Sequence, residues 1–151
     1  MKKAPCYIFE GTWWSNHEVP QVLPYFQALE SSGGGISLSH RTIRTAEDIS
    51  YYIGEINKDE RAFVYFACHG RDLDLYPTDA KNPIHRKNLR RSLTKAKPNA
   101  IAFLHFSCCE MVDKKNRKDS LNELVAKDQS DIRWISGYVK KLTGLIQHCL
   151  T

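Results

Sequence analysis

The sequence predicts an α/β fold, namely a three-layer αβα sandwich around a mainly parallel central sheet. Short apolar runs alternate with segments whose apolar residues recur at helical spacing, and turn-forming residues separate them. The runs Ala62–Cys68 and Ile101–Ser107 are apolar almost throughout, as is typical of parallel strands that helices cover on both faces. This alternation favours a single domain over residues 1–151, with right-handed connections between its strands.

Each predicted strand is an apolar or alternating run between turn-forming residues, and each predicted helix has one apolar face. Thr45 and Asp48 form a variant of the capping pattern, and Gly33–Gly35 end the first helix. The predicted strands are Cys6–Glu10, Ile36–Ile43, Ala62–Cys68, Ile101–Ser107 and Ile132–Tyr138. The predicted helices are Val19–Leu29, a segment after Thr45, Asn88–Ala96 and a segment after Asp119, while Arg71–Pro83 is a loop or a small hairpin.

Composition restricts the class of protein. Of the 151 residues, 42% are hydrophobic and 26% are charged, which is ordinary for a globular domain. No apolar run is long enough to span a bilayer, so we expect a cytoplasmic protein without membrane contact. The formal net charge is +5, but the basic residues are scattered and do not alternate with aromatic residues. Direct nucleic-acid binding is therefore not expected.

The five cysteines, an odd number, favour free thiols in a reducing compartment. Neither a CxxC pair nor an HxxxH pair occurs in the sequence, so no metal and no other cofactor is predicted. The alternative is a metal cluster of Cys68, His69, Cys108 and Cys109. It is disfavoured because adjacent residues of a strand point to opposite faces.

Two of the predicted strands end in reactive side chains. The third is followed by His69 and Gly70, and the fourth ends beside Cys108 and Cys109. In an open parallel sheet, functional groups collect beyond the carboxyl ends of the strands, and neighbouring strands lie about 4.8 Å apart. If these two strands are neighbours, a histidine and a cysteine meet at one edge of the sheet.

A cysteine and a histidine in contact can perform nucleophilic catalysis. The ordinary pKa of a thiol is about 8.5, so an imidazole that takes its proton makes it reactive at neutral pH and can later protonate a leaving amine. The developing oxyanion needs hydrogen-bond donors, for which the N–H of Gly70 and that of the nucleophile itself are candidates. The alternative is that the histidine and the cysteine only pack at the ends of the strands and have no catalytic role.

Other residues near these strands have simpler interpretations. His105 lies inside the fourth predicted strand and is interpreted as a core histidine rather than a second base. Trp13 and Trp14 follow the first strand at the same edge of the sheet, where they either line a substrate cleft or pack in the core. The basic segment Asp113–Asp119 is interpreted as an exposed loop.

These features resemble the caspase-like fold of cysteine peptidases, a group that includes caspases, metacaspases, separases and bacterial CHAT-domain proteases. Its hallmarks are an apolar strand that ends in His-Gly and a second strand that ends in the nucleophilic cysteine, here Phe63–Gly70 and Phe103–Glu110. The second segment is similar to the Leu-Ser-Ala-Cys-Glu pattern of CHAT domains and to the Asp-Cys-Cys-His of metacaspases. The resemblance is closest to the CHAT group.

The resemblance implies a role for each strand end. It makes Cys109, rather than Cys108, the nucleophile and His69 the general base. The N–H of Gly70 and that of Cys109 become the oxyanion donors. It also implies that an extended substrate lies beside a strand formed by Ser136, Gly137 and Tyr138, to which it adds strand-like hydrogen bonds.

The sequence also departs from the family pattern around the nucleophile. Ser107 stands where caspases have Gln and metacaspases have Asp, so it specifies neither an acidic nor a basic substrate side chain. Asp72 and Asp74 are candidates for contact with a basic one. Met111-Val112 replace the small residue usual after the nucleophile, and only Val139–Thr151 follow the fifth predicted strand, so a shortened form is expected.

The sequence thus predicts a CHAT-like cysteine endopeptidase that cleaves a protein partner through a thioester on Cys109. The resemblance further implies an effector of a bacterial stress or antiviral response, controlled by a regulatory protein partner. One alternative is a catalytically silent caspase-like module that binds a partner at its sheet edge. Another is a flavodoxin-like or receiver-like domain, which is disfavoured because no acidic cluster or phosphate-binding glycine loop follows the first strand.

Overall fold

The computed structural model describes residues 3–12, 22–59, 61–78, 82–108, 111, 124–125 and 132–138. Within these residues the helices are α1 (Leu23–Ser31), α2 (Ala46–Ile56) and α3 (Arg86–Leu93). The strands are β1 (Ala4–Glu10), β2 (Ile36–Thr42), β3 (Ala62–Ala67), β4 (His69–Arg71), β5 (Asp74–Tyr76), β6 (Ile101–Phe106) and β7 (Trp134–Gly137). No helix in the described part of the chain is long and apolar enough to cross a bilayer.

Five strands form the central sheet in the order β2-β1-β3-β6-β7, and each neighbouring pair is parallel. The short strands β4 and β5 form a separate antiparallel hairpin. The predicted α/β class with a mainly parallel sheet is therefore confirmed, and the three helices are compatible with a three-layer sandwich. The sheet grows from β1 toward β2 on one side and toward β3, β6 and β7 on the other. The direction of growth therefore reverses between β1 and β3, which is the kind of position at which ligands often bind in open parallel sheets.

The hydrophobic core lies between the sheet and the pair of helices α2 and α3. Val64 and Phe66 of β3 pair with Leu104 and Phe106 of β6, and all four side chains point into this core. The rings of Phe66 and Phe106 stack with their centroids 4.9 Å apart. The helices contribute fully buried Ile49, Ile53, Ile56, Leu89 and Leu93. We call this side of the sheet the α2–α3 face.

Helix α2 begins as the sequence predicts. The N–H of Asp48 donates to the Thr45 hydroxyl over 3.2 Å, and the N–H of Thr45 donates back to the Asp48 carboxylate over 2.9 Å. These two bonds satisfy backbone donors that the first turn of a helix leaves without partners. The capping prediction is therefore confirmed.

The opposite side of the sheet, which we call the α1 face, is less completely covered. Phe26 of α1 packs edge-on against Tyr65 of β3, with ring centroids 5.0 Å apart. Glu30 of α1 also accepts a hydrogen bond of 2.9 Å from the backbone of Leu38 in β2. Further along this face, Phe103 and Trp134 are 45% and 61% exposed. The described part of the chain therefore covers β1, β2 and part of β3 on this face, but not β6 and β7.

Some element boundaries differ from the predicted ones. Helix α3 begins at Arg86, two residues earlier than expected, because the Asp74 carboxylate accepts a hydrogen bond of 2.7 Å from the Arg86 backbone and anchors the first turn. The segment predicted as a loop or small hairpin is a hairpin that already starts at His69. The helix predicted after Asp119 falls mostly outside the described residues.

Candidate active site at the ends of β3 and β6

The ends of β3 and β6 lie side by side in a constant register. Phe63 pairs with Phe103 and Phe66 with Phe106, an offset of 40 residues. Beyond the strands the same offset continues, because the sulfur atoms of Cys68 and Cys108 are 3.5 Å apart. The two strands are therefore neighbours, as the predicted meeting of histidine and cysteine requires.

Cys68 and Cys108 belong to the core rather than to the surface. Their side chains are 1% and 0% exposed, and the Cys108 sulfur lies 3.6 Å from the carbonyl oxygen of Phe66. Burial, together with the neighbouring Cys108, raises the pKa of the Cys68 thiol well above its ordinary value. A thiol that stays protonated and has no access to solvent is a poor nucleophile. Neither of these cysteines is a suitable catalytic residue.

His69 follows Cys68 but lies in the opposite environment. It is exposed, whereas Cys68 is buried, as expected from the alternation of adjacent residues along an extended chain. His69 is the first residue of β4 and pairs with Tyr76 of β5. The hairpin therefore holds the imidazole at the carboxyl edge of the sheet.

Gly70 is buried and faces Leu75 across the hairpin. The N–H and C=O of Leu75 are used in bonds of 3.1 and 2.7 Å to the backbone of Ile84. The Gly70–Leu75 pair is therefore the non-hydrogen-bonded kind of antiparallel pair, in which the N–H of Gly70 points away from β5. This orientation suits a donor to a group outside the hairpin.

The hairpin of β4 and β5 packs against the end of β1 through a close backbone contact. The N–H of Gly11 donates to the carbonyl of Ala67 over 2.9 Å, which extends the pairing of β1 with β3. A Cβ atom at Gly11 would lie 2.6 Å from the Cα of Pro77, closer than real Cβ contacts allow. Glycine is therefore required here for the segment after β5 to approach the sheet.

Asp72 and Asp74, which were predicted to contact a basic side chain of a substrate, differ in their exposure and in their hydrogen bonds. Asp72 is exposed in the turn of the hairpin, with a φ of 52°. Asp74 accepts hydrogen bonds from the Arg86 backbone at 2.7 Å and from His85 Nδ1 at 2.8 Å. The Asp74 carboxylate thus ties the hairpin to the start of α3. Asp79, a third acidic residue of this region, lies outside the described residues.

Ser107 continues the pairing of β6 with β3, because its N–H donates to the carbonyl of Phe66 over 2.8 Å. This bond extends the pairing of the two strands beyond the last residue of β6. This position fixes the carboxyl end of β6 beside β3, one residue before the buried Cys108.

The predicted fifth parallel strand is β7, which lies next to β6. It contains Ser136 and Gly137, and Tyr138 follows it. Gly137 pairs with Phe106, and Ser136 pairs with His105. The Ser136 hydroxyl is 2.7 Å from His105 Nδ1. Tyr138 is 37% exposed, and its ring lies edge-on to that of His105 at 5.9 Å.

His105 lies on the α1 face of β6 rather than in the buried core in which it was predicted. It is half-buried, and its ring packs against that of Tyr65 with centroids 5.1 Å apart. Burial lowers the pKa of His105, because the protonated ring loses its hydration there. A neutral imidazole that shares a hydrogen bond with Ser136 is well accommodated at this position.

Sequence inspection missed a buried acid at the end of β1. The Glu10 side chain is 4% exposed; one of its carboxylate oxygens is 2.7 Å from His40 Nε2, and the other accepts a hydrogen bond of 3.0 Å from the Val22 backbone. A charged residue that closes an apolar strand is the signal that could have indicated it. Glu10 pairs in register with Ala67, so this contact between a carboxylate and an imidazole lies two residues from His69 on the neighbouring strand.

Several predicted residues fall outside the described residues. They include Cys109, the predicted nucleophile, and the two tryptophans at 13 and 14. Among the described residues, no group of three histidine, cysteine, aspartate or glutamate side chains is arranged to hold a metal ion. The cluster considered as an alternative includes Cys109, so it extends beyond that part of the chain.

Comparisons with known proteins do not identify a family. No family model matches the chain, and neither a curated protein nor a solved structure matches it. The caspase-like resemblance therefore rests on the residues of the two strand ends and on the order of elements.

Proposed function

We propose that the chain is a caspase-like cysteine endopeptidase in which His69 activates Cys109. The observation that carries this proposal is the register of β3 and β6, whose offset of 40 residues persists to the contact between the Cys68 and Cys108 sulfurs. If this offset continued by one residue, position 109 would lie beside His69, at a strand spacing of about 4.8 Å. This register supports the proposed pairing of His69 with Cys109.

The environment of Cys108 supports the choice of Cys109 as the nucleophile. Cys108 is fully buried, and its sulfur contacts Cys68 and the Phe66 carbonyl. Its side chain therefore lies on the α2–α3 face. Adjacent residues of an extended chain point to opposite sides. The side chain after Cys108 is therefore expected on the side to which His69 is exposed.

The proposed chemistry needs few groups. His69 takes the proton of the Cys109 thiol as the sulfur attacks the carbonyl carbon of the scissile peptide bond. The N–H groups of Gly70 and Cys109 donate to the oxyanion. When the C–N bond breaks, His69 gives the proton to the leaving amine, and a thioester remains on Cys109. Water, with its proton taken by His69, then hydrolyses the thioester and restores the thiol.

The substrate is proposed to be an extended segment of a protein partner. Among the described strands, β7 lies at the end of the sheet next to β6, and an extended segment on its outer side would add a further strand. Ser136, Gly137 and Tyr138 would flank that segment. Exposed Asp72 is a better candidate for a basic substrate side chain than Asp74, whose carboxylate is bonded to the start of α3.

A matched pair of cysteine variants tests the proposal. The full chain is treated with a panel of peptidyl electrophiles and with a peptide library, and adducts and cleavage products are identified by mass spectrometry. Cys109→Ala is expected to abolish both adduct and cleavage, whereas Cys108→Ala leaves the adduct at Cys109. Adduct formation at Cys108 would contradict the assignment. No adduct and no cleavage, with candidate partner proteins added, would favour the catalytically silent interaction module.

A further inference from the structure

The two buried thiols at the ends of β3 and β6 form a pair that the proposed chemistry does not use. Cys68 and Cys108 are free cysteines, 1% and 0% exposed, and their sulfur atoms are 3.5 Å apart. Two sulfurs at this distance are in van der Waals contact, whereas a disulfide bond is about 2.05 Å long. The two sulfurs therefore need to approach by only about 1.5 Å to form a bond.

The backbone at these two positions suits such a bond. Cys68 and Cys108 are separated by 40 residues, which is the offset of the paired residues of β3 and β6. Paired residues on neighbouring strands have Cα atoms about 4.8 Å apart, within the roughly 4.4–6.8 Å usual for disulfides. The two side chains also point toward each other, because their sulfurs are in contact. A bridge therefore requires rotation of side chains rather than a new course of the chain.

We infer that Cys68 and Cys108 are a redox-sensitive pair, which hydrogen peroxide converts into a disulfide that links the end of β3 to the end of β6. The thiolate sulfur of one cysteine attacks a peroxide oxygen, the O–O bond breaks, and hydroxide leaves and takes up the thiol proton as water. The sulfur of the second cysteine then attacks the resulting sulfenic acid. The S–S bond forms, the S–O bond breaks, and a second water leaves with the proton of the second thiol. Each sulfur loses one electron and the peroxide gains two.

The position of the pair gives the oxidant a route to buried thiols. Cys68 and Cys108 lie just beyond the last residues of β3 and β6, and His69, next to Cys68, is exposed. The ends of strands open locally at a lower free-energy cost than their centres, and hydrogen peroxide is small and uncharged. Burial raises the pKa of Cys68, so the reaction is expected to be slower than that of an exposed thiol. This inference does not depend on the proposed peptidase activity.

Disulfide mapping in the full chain tests the inference. The chain is treated with hydrogen peroxide, the remaining thiols are blocked with N-ethylmaleimide in denaturant, and tryptic peptides are identified by mass spectrometry. Cys68 is the only cysteine of its peptide, Ala62–Arg71, and Cys109→Ala makes Cys108 the only cysteine of its own. The expected product, in the wild type and in Cys109→Ala, is a linked pair of peptides that has lost two hydrogens. Dithiothreitol should restore both thiols.

Cys6 is the control within the same molecule. It is 1% exposed, like Cys68, but it pairs with Phe63 and so lies about 16 Å from the pair along the sheet. Cys6 is therefore expected to remain a thiol under the same treatment. Disulfides that include Cys6 would show that oxidation follows unfolding and would overturn the inference. Persistence of the Cys68 and Cys108 thiols at a peroxide dose that fully oxidises glutathione would also overturn it.

The melting temperature gives a second test. A bond between Cys68 and Cys108 closes a loop across 40 residues, which restricts the unfolded chain. In the Cys109→Ala background, peroxide treatment is expected to raise the melting temperature by about 5 °C or more. The additional substitution Cys68→Ala should abolish that rise. An unchanged melting temperature in oxidised Cys109→Ala would show that no such restraint links the two strand ends and would contradict the inference.

Discussion

One residue separates two opposite environments at the ends of β3 and β6. Cys68 and Cys108 are buried with their sulfurs 3.5 Å apart, whereas His69, the next residue after Cys68, is exposed at the carboxyl edge. The buried pair fixes the register of the two strands, and the following pair is proposed to perform the chemistry. The comparison shows that adjacent residues of an extended chain lie in opposite environments, one in the core and the next at the surface.

The largest expected effect separates His69 from the half-buried His105. His69→Ala is expected to slow alkylation of Cys109 by a peptidyl electrophile at least about 100-fold, because a general base typically contributes that much or more. His105→Ala removes a hydrogen bond to Ser136, which belongs to the proposed substrate-binding strand, so its rate is expected to fall by no more than about tenfold. Stopped reactions analysed by mass spectrometry give both rates. Equal rates in the two variants would show that His69 contributes no more to the alkylation of Cys109 than His105 does.

The core beneath the buried thiols gives the next largest effect. Phe66→Ala removes a fully buried ring that stacks on Phe106 directly before the Cys68–Cys108 contact. We expect it to lower the free energy of unfolding by about 3–5 kcal/mol, measured by urea denaturation. Tyr25→Ala is the control, because this side chain is 77% exposed and its loss should cost less than about 0.5 kcal/mol. A cost below about 1 kcal/mol for Phe66→Ala would mean that this core is loosely packed.

Alkaline pH is expected to weaken the fold through its buried thiols. Burial raises the pKa of Cys6 to about 11 and that of Cys68 well above its ordinary value. The folded state therefore holds these protons while the unfolded state releases them above about pH 9, so stability is full below that pH and falls as the pH rises toward 11. For Cys6 the loss between pH 8 and 10.5 is about 2 kcal/mol.

Urea denaturation of the wild-type chain and of Cys6→Ala at these two pH values measures this loss. The variant should lose less stability than the wild type over the same interval. If both lose the same amount, burial of Cys6 does not contribute to the alkaline weakening.

The smallest effect concerns the cap of α2. Thr45→Ala removes the hydroxyl that accepts from the Asp48 backbone, at an expected cost of about 1 kcal/mol in the free energy of unfolding. Thr45→Ser keeps that acceptor and should cost little. Neither variant is expected to change the alkylation rate of Cys109, since α2 stabilises the core side of the sheet. A change in that rate would indicate that the two sides are coupled.

Periodicity and apolar runs were sufficient to predict the parallel sheet, its strands and the cap at Thr45. They identified β3 and β6 as buried strands that end beside reactive residues but left open whether the two are neighbours, which the structure shows them to be. They could not predict the Glu10–His40 pair or the engagement of Asp74 with His85 and Arg86. These contacts join residues 11 to 30 positions apart on different elements, and local pattern does not specify which polar groups will meet.

The pH dependence of Cys109 alkylation, compared between the wild-type chain and His69→Ala, tests the proposed dyad most directly. A thiol coupled to an imidazole reacts well below the ordinary thiol pKa of about 8.5. We predict that the wild-type profile has its midpoint clearly below that value and that His69→Ala returns the midpoint to about 8.5. Identical profiles in the two proteins would show that His69 does not activate Cys109 and would contradict the proposal.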